Sequence, residues 1–134
     1  MQLSVDVFEK TVRNCRSKES SGSPESRSDS NPSYRQCLVT ALLAHEILWL
    51  SVFAEKITNE HNRIGHHFFN KDTENIPIRF CEEQFAYEKI LARHRERPLN
   101  EERIEFLLER HPEIKQRYEL FKKKFETELT SIFR

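Results

Sequence analysis

Cys37 stands where a long apolar run begins, and the residues after it read Leu-Val-Thr-Ala-Leu-Leu. The first turn of a helix has unbonded backbone N–H groups and carries the positive end of the helix dipole. Both favour the thiolate, which is the form of cysteine that attacks carbonyl carbon. Cys37 is therefore a candidate nucleophile. The alternative is that it is a small apolar core residue, as many cysteines are.

A short amphipathic helix is predicted at the start of the chain, from Val5 to about Cys15, because Phe8 and Val12 follow Val5 at helical spacing. Residues 16–33 are almost wholly polar and rich in serine, which predicts a mobile loop. The helix before this loop is too short to fold alone. We therefore interpret the 134 residues as a single domain.

The helix that carries Cys37 should be capped by Asn31 or Ser33 and should run to about Leu48. Helical periodicity could extend it as far as Ile57. Residues 51–57 are also compatible with a strand, and the sequence leaves this choice open.

Two short strands are predicted next, at residues 66–70 and 76–80, because the first is aromatic and the second alternates apolar residues with others. The polar residues between them form a turn, so the two strands should make a hairpin. Pro77 cannot donate to a ladder, which favours an edge or the start of a strand.

The remainder of the chain is predicted to be mainly helical. Residues 82–91 read as a charged helix, followed by a basic stretch that ends at Pro98. Another helix should begin near Asn100, and a last one at Pro112. This last helix carries one apolar stripe: Ile114, Tyr118, Phe121, Phe125, Leu129 and Ile132. The predicted fold is α+β, with the Cys37 helix packed on a small antiparallel sheet and helical segments at both ends.

Composition excludes several classes of partner. The 22 basic and 22 acidic residues cancel, so no overall field attracts nucleic acid or an acidic membrane surface. The apolar run after Cys37 is interrupted by His45 and Glu46, and the apolar segment beyond them is too short to span a bilayer. The three cysteines are widely spaced, and the first residues lack the layout of a signal peptide. We expect a cytoplasmic protein with no nucleic-acid or membrane partner.

Several short motifs, taken in order, resemble the YunG-like family, a small and poorly characterised bacterial group. The family helix that begins Gly-Gln-Cys-Ala-Val-Thr-Ala-Leu is similar to residues 36–42, and its Ser-His-Tyr-Trp-Asn strand to residues 66–70. Its acidic strand and Gln-Phe pair are similar to residues 78–80 and 84–85, and its Lys-Arg-Tyr-x-Leu-Leu pattern to residues 116–121. The resemblance covers residues 31 to about 125.

The resemblance implies a helix followed by strands, with a cysteine on the helix start and a histidine on a strand. This order is similar to that of papain-like and NlpC-like thiol hydrolases. It implies that His67 takes the proton of Cys37 and later gives it to the leaving group. The backbone N–H of Cys37, with Gln36, would hold the oxyanion.

The chain departs from the family pattern at two positions. The acid that comes after the histidine is replaced by Arg79, which has no acceptor with which to orient an imidazole. Asn70 or Asp72 could substitute for it. The glycine before Gln36 is replaced by Arg35, which could crowd the thiol. The alternative function is therefore a catalytically degenerate papain-like scaffold that acts as a protein-interaction module.

Other groups of residues give weaker evidence for a functional site. His61, His66, His67 and Cys81 are suitable zinc ligands by type, but they lack paired spacing, and adjacent histidines on a strand point to opposite faces. We expect no metal and no cofactor. His45 lies about two turns beyond Cys37, too far for direct contact, and is interpreted as a helix histidine. The stripe on the last helix could also support a homodimer.

Overall fold

The computed structural model describes residues 3–15, 37–59, 64–80 and 90–132. Within these residues the fold is α+β, as predicted, with helices packed on a small antiparallel sheet. The elements in chain order are α1 (Val5–Cys15), α2 (Cys37–Leu48), β1 (Ser51–Asn59), β2 (Ile64–Lys71), β3 (Pro77–Ile78), β4 (Ile90–Leu99), α3 (Glu101–Arg110) and α4 (Pro112–Ile132).

The sheet has the strand order β3-β2-β1-β4, and every neighbouring pair is antiparallel. β1 and β2 form its longest local hairpin, in which Ser51 lies opposite Lys71 and Glu55 opposite His67. The predicted hairpin between the second and third strands is also present, but it is short, because β3 pairs only with Asn70 and Lys71.

β1 settles the choice that the sequence left open for residues 51–57. α2 ends at Leu48, and the chain enters β1 after only two further residues. The first of these, Trp49, has a left-handed backbone with φ of 61°, and its N–H donates to the carbonyl of His45 at 3.1 Å. A left-handed residue of this kind ends a helix by turning the backbone away from its axis. The chain can then continue as a strand.

β4 corrects the prediction for residues 90 and 91. They were expected at the end of a charged helix, but they begin a ten-residue strand that also contains the basic stretch. The local helical pattern is overridden because β4 pairs along β1, where the backbone groups of both strands are satisfied. A register shift opposite Ala54 and Lys56 accommodates Arg95, whose φ is 57°. The rest of the predicted helix, residues 82–89, lies outside the described residues.

The core has α2 at its centre. On one side, Ala41 and Leu42 pack with Val52 of β1 and Ile104 of α3. On the other side, α2 packs against α1 and α4, where the rings of Phe8 and Phe125 lie 5.3 Å apart. A helix that is apolar on most of its surface is expected in such a position.

The helical predictions at the two ends of the chain are confirmed. α1 has the predicted bounds, and Pro112 is the first residue of α4. The side chain of Asn100 caps α3 by accepting from the backbone N–H of Arg103 at 2.9 Å. Phe121 and Phe125 of the α4 stripe are fully buried in the core. The homodimer stays a prediction. The predicted mobile loop at residues 16–33 lies outside the described residues.

No helix in the described part of the chain is long and apolar enough to cross a membrane.

Candidate functional site

The two faces of the sheet have different environments. Side chains alternate along a strand, so Phe68 and Asn70 leave β2 on one face and His67 and Phe69 on the other. Phe68 packs against the core cluster that contains Ala41, which identifies its face as the one that α2 covers. His67 therefore projects from the opposite face of the sheet.

The buried side chains of Glu55, His67 and Phe69 and the partly exposed Arg79 form a cluster on this opposite face; we call it the Glu55 cluster. The imidazole Nδ1 of His67 lies 2.9 Å from Oε1 of Glu55 across the β1–β2 pair, and both side chains are almost completely buried. The guanidinium of Arg79 donates to the same carboxylate, with Nη2 3.3 Å from Oε2. Phe69 stacks on the His67 ring at 6.2 Å, and the guanidinium carbon of Arg79 lies 4.4 Å from the Phe69 centroid.

The hydrogen bond to Glu55 decides which nitrogen of His67 is basic. A guanidinium donor favours the ionised carboxylate, which can only accept hydrogen bonds. Nδ1 of His67 must therefore carry the hydrogen and donate it to Glu55, which leaves the lone pair of a neutral ring on Nε2. The cluster thus fixes both the orientation and the tautomer of the imidazole.

Glu55 is the residue of the candidate site that the sequence reasoning missed. Arg79 does stand at the position where the acid was expected, but a carboxylate from the neighbouring strand reaches the histidine instead. The signal for it was the hairpin register: once residues 51–59 are taken as a strand paired with β2, Glu55 lies directly opposite His67. The open choice between helix and strand concealed this pairing.

Asn70 and Asp72, the predicted substitutes for the acid, have other roles. The side-chain amide of Asn70 donates to the carbonyl of Ala41 at 3.0 Å and to that of Ser51 at 3.2 Å, so it ties α2 to β1. Asp72 accepts from the backbone N–H groups of Glu74 and Ile76, both at 2.9 Å, and so shapes the turn before β3. Glu55, not Asn70, holds the imidazole of His67.

Cys37 is the first residue of α2 and is buried, with an exposed fraction of 7%. It lies one helical turn before Ala41, whose carbonyl accepts the hydrogen bond from the side-chain amide of Asn70. α2 therefore carries the thiol on one side of the sheet, and His67 projects from the other face. Gln36, the predicted oxyanion donor, lies outside the described residues.

His45 is a helix histidine, as expected, with ring nitrogens 2.9 Å from the carbonyl of Leu50 and 2.7 Å from Oε1 of Glu101. Of the predicted zinc-ligand types, His61 and Cys81 lie outside the described residues. No group of three or more His, Cys, Asp or Glu side chains in the described ranges is arranged to hold a metal ion.

Comparison with known proteins identifies a family to which the chain is similar. The family model described as YunG protein matches residues 4–130, which is nearly the whole chain. No curated protein and no solved structure matches the chain. The match runs from the start of α1 to residue 130 in α4 and includes the Glu55 cluster. The chain belongs to the YunG family.

Proposed function

We propose that this chain is a thiol hydrolase in which Cys37 is the nucleophile, His67 the general base and Glu55 the residue that orients the base. The observation that carries the proposal is the buried hydrogen bond of 2.9 Å between Nδ1 of His67 and Oε1 of Glu55. In this proposal Glu55 would be the third group of a triad, a role that Arg79 cannot fill because it has no acceptor. The substrates would be amides or thioesters.

The reaction is derived from the hydrogen that Glu55 fixes on Nδ1. The reaction requires the Cys37 sulfur and Nε2 of His67, which lie on opposite sides of the sheet, to reach each other. Nε2 would then accept the thiol proton while the sulfur attacks the carbonyl carbon. The imidazolium would then give this proton to the departing amine or thiol, leaving an acyl thioester on Cys37. Water, deprotonated by His67, would attack this thioester and release the acid, and the proton would return to the Cys37 sulfur. A cysteine near the N-terminal end of a helix is favoured as the thiolate, and Cys37 is the first described residue of α2.

The test measures alkylation by iodoacetamide at each cysteine of the folded protein, with mass spectrometry as the readout. We expect Cys37 to react much faster than Cys15 near neutral pH, because burial, reinforced by Glu128, raises the pKa of Cys15 to about 11. His67→Ala should abolish the preference for Cys37. Glu55→Gln should reduce it, because an amide is a weaker acceptor that also permits the wrong tautomer.

His45→Ala is the matched control, because it removes a histidine that hydrogen-bonds Leu50 and Glu101 rather than the Glu55 cluster. It should leave the labelling pattern unchanged. Equal labelling of Cys15 and Cys37 in the unaltered protein, or an unchanged pattern in His67→Ala, would rule out the nucleophile.

A second candidate is a protein-interaction module that keeps the scaffold without catalysis. Two observations favour it: α2 covers the face of the sheet opposite to the one from which His67 projects, and Arg79 makes an ion pair with Glu55 at 3.3 Å. A buried carboxylate satisfied by both an arginine and a histidine is also typical of a structural network. In this case Cys37→Ala should leave fold and partner binding intact, and Cys37 should show no enhanced reactivity at any pH between about 6 and 8.

A further inference from the structure

A groove lies on the helical side of the molecule, where α2, α3 and α4 meet. Its volume is about 580 Å³. Leu42, Ile104 and Leu108 provide an apolar floor, and Glu46 and Glu101 lie on its rim. Leu42 and Ile104 belong to the core cluster on the α2 side of the sheet, so the groove is separate from the Glu55 cluster.

Trp49 stands beside this groove in a conformation that the fold alone does not explain. Its side chain is 85% exposed, and its backbone φ is 61°. Glycine or asparagine adopts this left-handed conformation at lower cost, and a bulky residue there is a true outlier. Because an exposed indole also gains almost nothing from burial, neither helix termination nor core packing accounts for tryptophan at this position.

The charged groups of the rim are held in place by neighbours. The carboxylate of Glu46 accepts hydrogen bonds from Tyr118 and Lys122. Burial alone would raise the pKa of Glu46, but these hydrogen bonds outweigh it and the pKa is lowered, so the carboxylate is ionised near neutral pH. Glu101 is held by His45 at 2.7 Å, yet most of its side chain remains exposed.

An exposed indole, a positioned carboxylate and an apolar floor complement a cation on an alkyl stem. The indole face attracts the cation, the carboxylate pairs with it, and the floor covers the methylene groups. We propose that this groove binds a lysine or arginine side chain in a partner polypeptide, with an apolar neighbour of that residue on the Leu42–Ile104–Leu108 floor. This site is independent of the hydrolase proposal, and neither depends on the other.

The chain contains one tryptophan, so tryptophan emission, excited selectively over the three tyrosines, reports on this site. The probe is a short blocked peptide, acetyl-Leu-Lys-Leu-amide, titrated into the full chain. We expect a saturable change in emission that weakens as salt is raised, and no saturable change with acetyl-Leu-Glu-Leu-amide. Calorimetry should show that Trp49→Gly, which suits the left-handed backbone, weakens binding by about fivefold or more.

Glu101→Gln tests the carboxylate, and Glu102→Gln is its matched control. Both residues lie in the first turn of α3, so both variants lose the same favourable interaction with the helix dipole, but only Glu101 lines the groove. We expect Glu101→Gln to weaken lysine-peptide binding about threefold or more and Glu102→Gln to leave it unchanged.

Three results would overturn the proposal. The first is equal binding of the lysine and glutamate peptides. The second is an equal effect of the two glutamate variants. The third is emission that changes with protein concentration alone while sedimentation shows a dimer, because the groove would then be covered by a second copy of the chain.

Discussion

Asn70 offers the sharpest test of how the cysteine-bearing helix is fixed to the sheet. Its buried amide donates to Ala41 of α2 at 3.0 Å and to Ser51 of β1 at 3.2 Å. Each such bond contributes about 1 kcal/mol net, and a buried carbonyl left without its donor costs about 1 kcal/mol more. Asn70→Ala should therefore lower the free energy of unfolding by about 2–4 kcal/mol.

Asn70→Asp separates hydrogen bonding from shape. The carboxylate has nearly the shape of the amide, but it directs a buried charge at two carbonyl oxygens and has no hydrogen to donate. We expect Asn70→Asp to be less stable than Asn70→Ala at pH 7. Protonation restores one donor and removes the charge, so the folded state binds the proton more tightly than the unfolded state. The stability of Asn70→Asp should accordingly rise as the pH falls from about 7 to 5.

The measurement is urea unfolding monitored by circular dichroism at constant temperature. With a slope of about 2 kcal/mol per molar urea, Asn70→Ala should move the midpoint down by roughly 1–2 M. Asn14→Ala is the control, because Asn14 is exposed and makes one side-chain bond of 3.3 Å to Glu128. Its effect should stay within about 0.5 kcal/mol.

The reasoning would be refuted if Asn70→Ala and Asn14→Ala had equal effects, or if Asn70→Asp were as stable as the unaltered protein at pH 7. A third outcome would support the prediction that Asn70 substitutes for the acid beside His67. If Asn70→Ala reduced the iodoacetamide reactivity of Cys37 with no loss of stability, its role would be to orient His67 rather than to tie α2 to β1.

Three further changes test the core, a helix cap and a surface carboxylate. Phe125→Ala should lower the free energy of unfolding by about 3–5 kcal/mol in the same urea assay, because its fully buried ring packs on Phe8; the exposed Phe106→Ala should cost far less. Asn100→Ala should lower the free energy of unfolding by about 1 kcal/mol, because the Asn100 side chain caps α3. Asn100→Asp should be tolerated, because its carboxylate can also accept from the helix N–H, and equal losses in the two variants would contradict the capping role. Glu46→Gln should lower stability by less than about 1 kcal/mol at pH 7, because Glu46 is partly exposed. Because the pKa of Glu46 is lowered in the folded state, the stability difference between the unaltered protein and Glu46→Gln should shrink as the pH falls below 4.5. A stability difference that grew over this range would contradict a lowered pKa.

Helix periodicity predicted most of the helical framework, because helical patterns are local. α1, the end of α2 and the starts of α3 and α4 can all be read from apolar spacing, caps and proline. The sheet was less predictable. Residues 90 and 91 looked helical in isolation and became strand because β1 lies beside them, which is a partner that no window of sequence reveals.

The candidate site shows the same limit at the level of single residues. Cys37 and His67 were singled out as candidates from residue type and from family order. Asn70 was predicted as a substitute for the acid, whereas in the structure its side chain hydrogen-bonds α2 and β1. Glu55 was invisible until the β1–β2 register placed it opposite His67. Cross-strand partners depend on register, and register here depended on a choice between helix and strand that local sequence could not make.

The position of β4 at the edge of the described sheet bears on how the protein avoids aggregation. β4 is the last strand on its side of the described sheet, and Arg95, Glu96 and Arg97 are exposed there. An outermost strand invites another chain to add to it, and charged side chains with a bulge discourage such growth. The exposed charges and the register shift of β4 thus disfavour the addition of another strand at this edge of the described sheet.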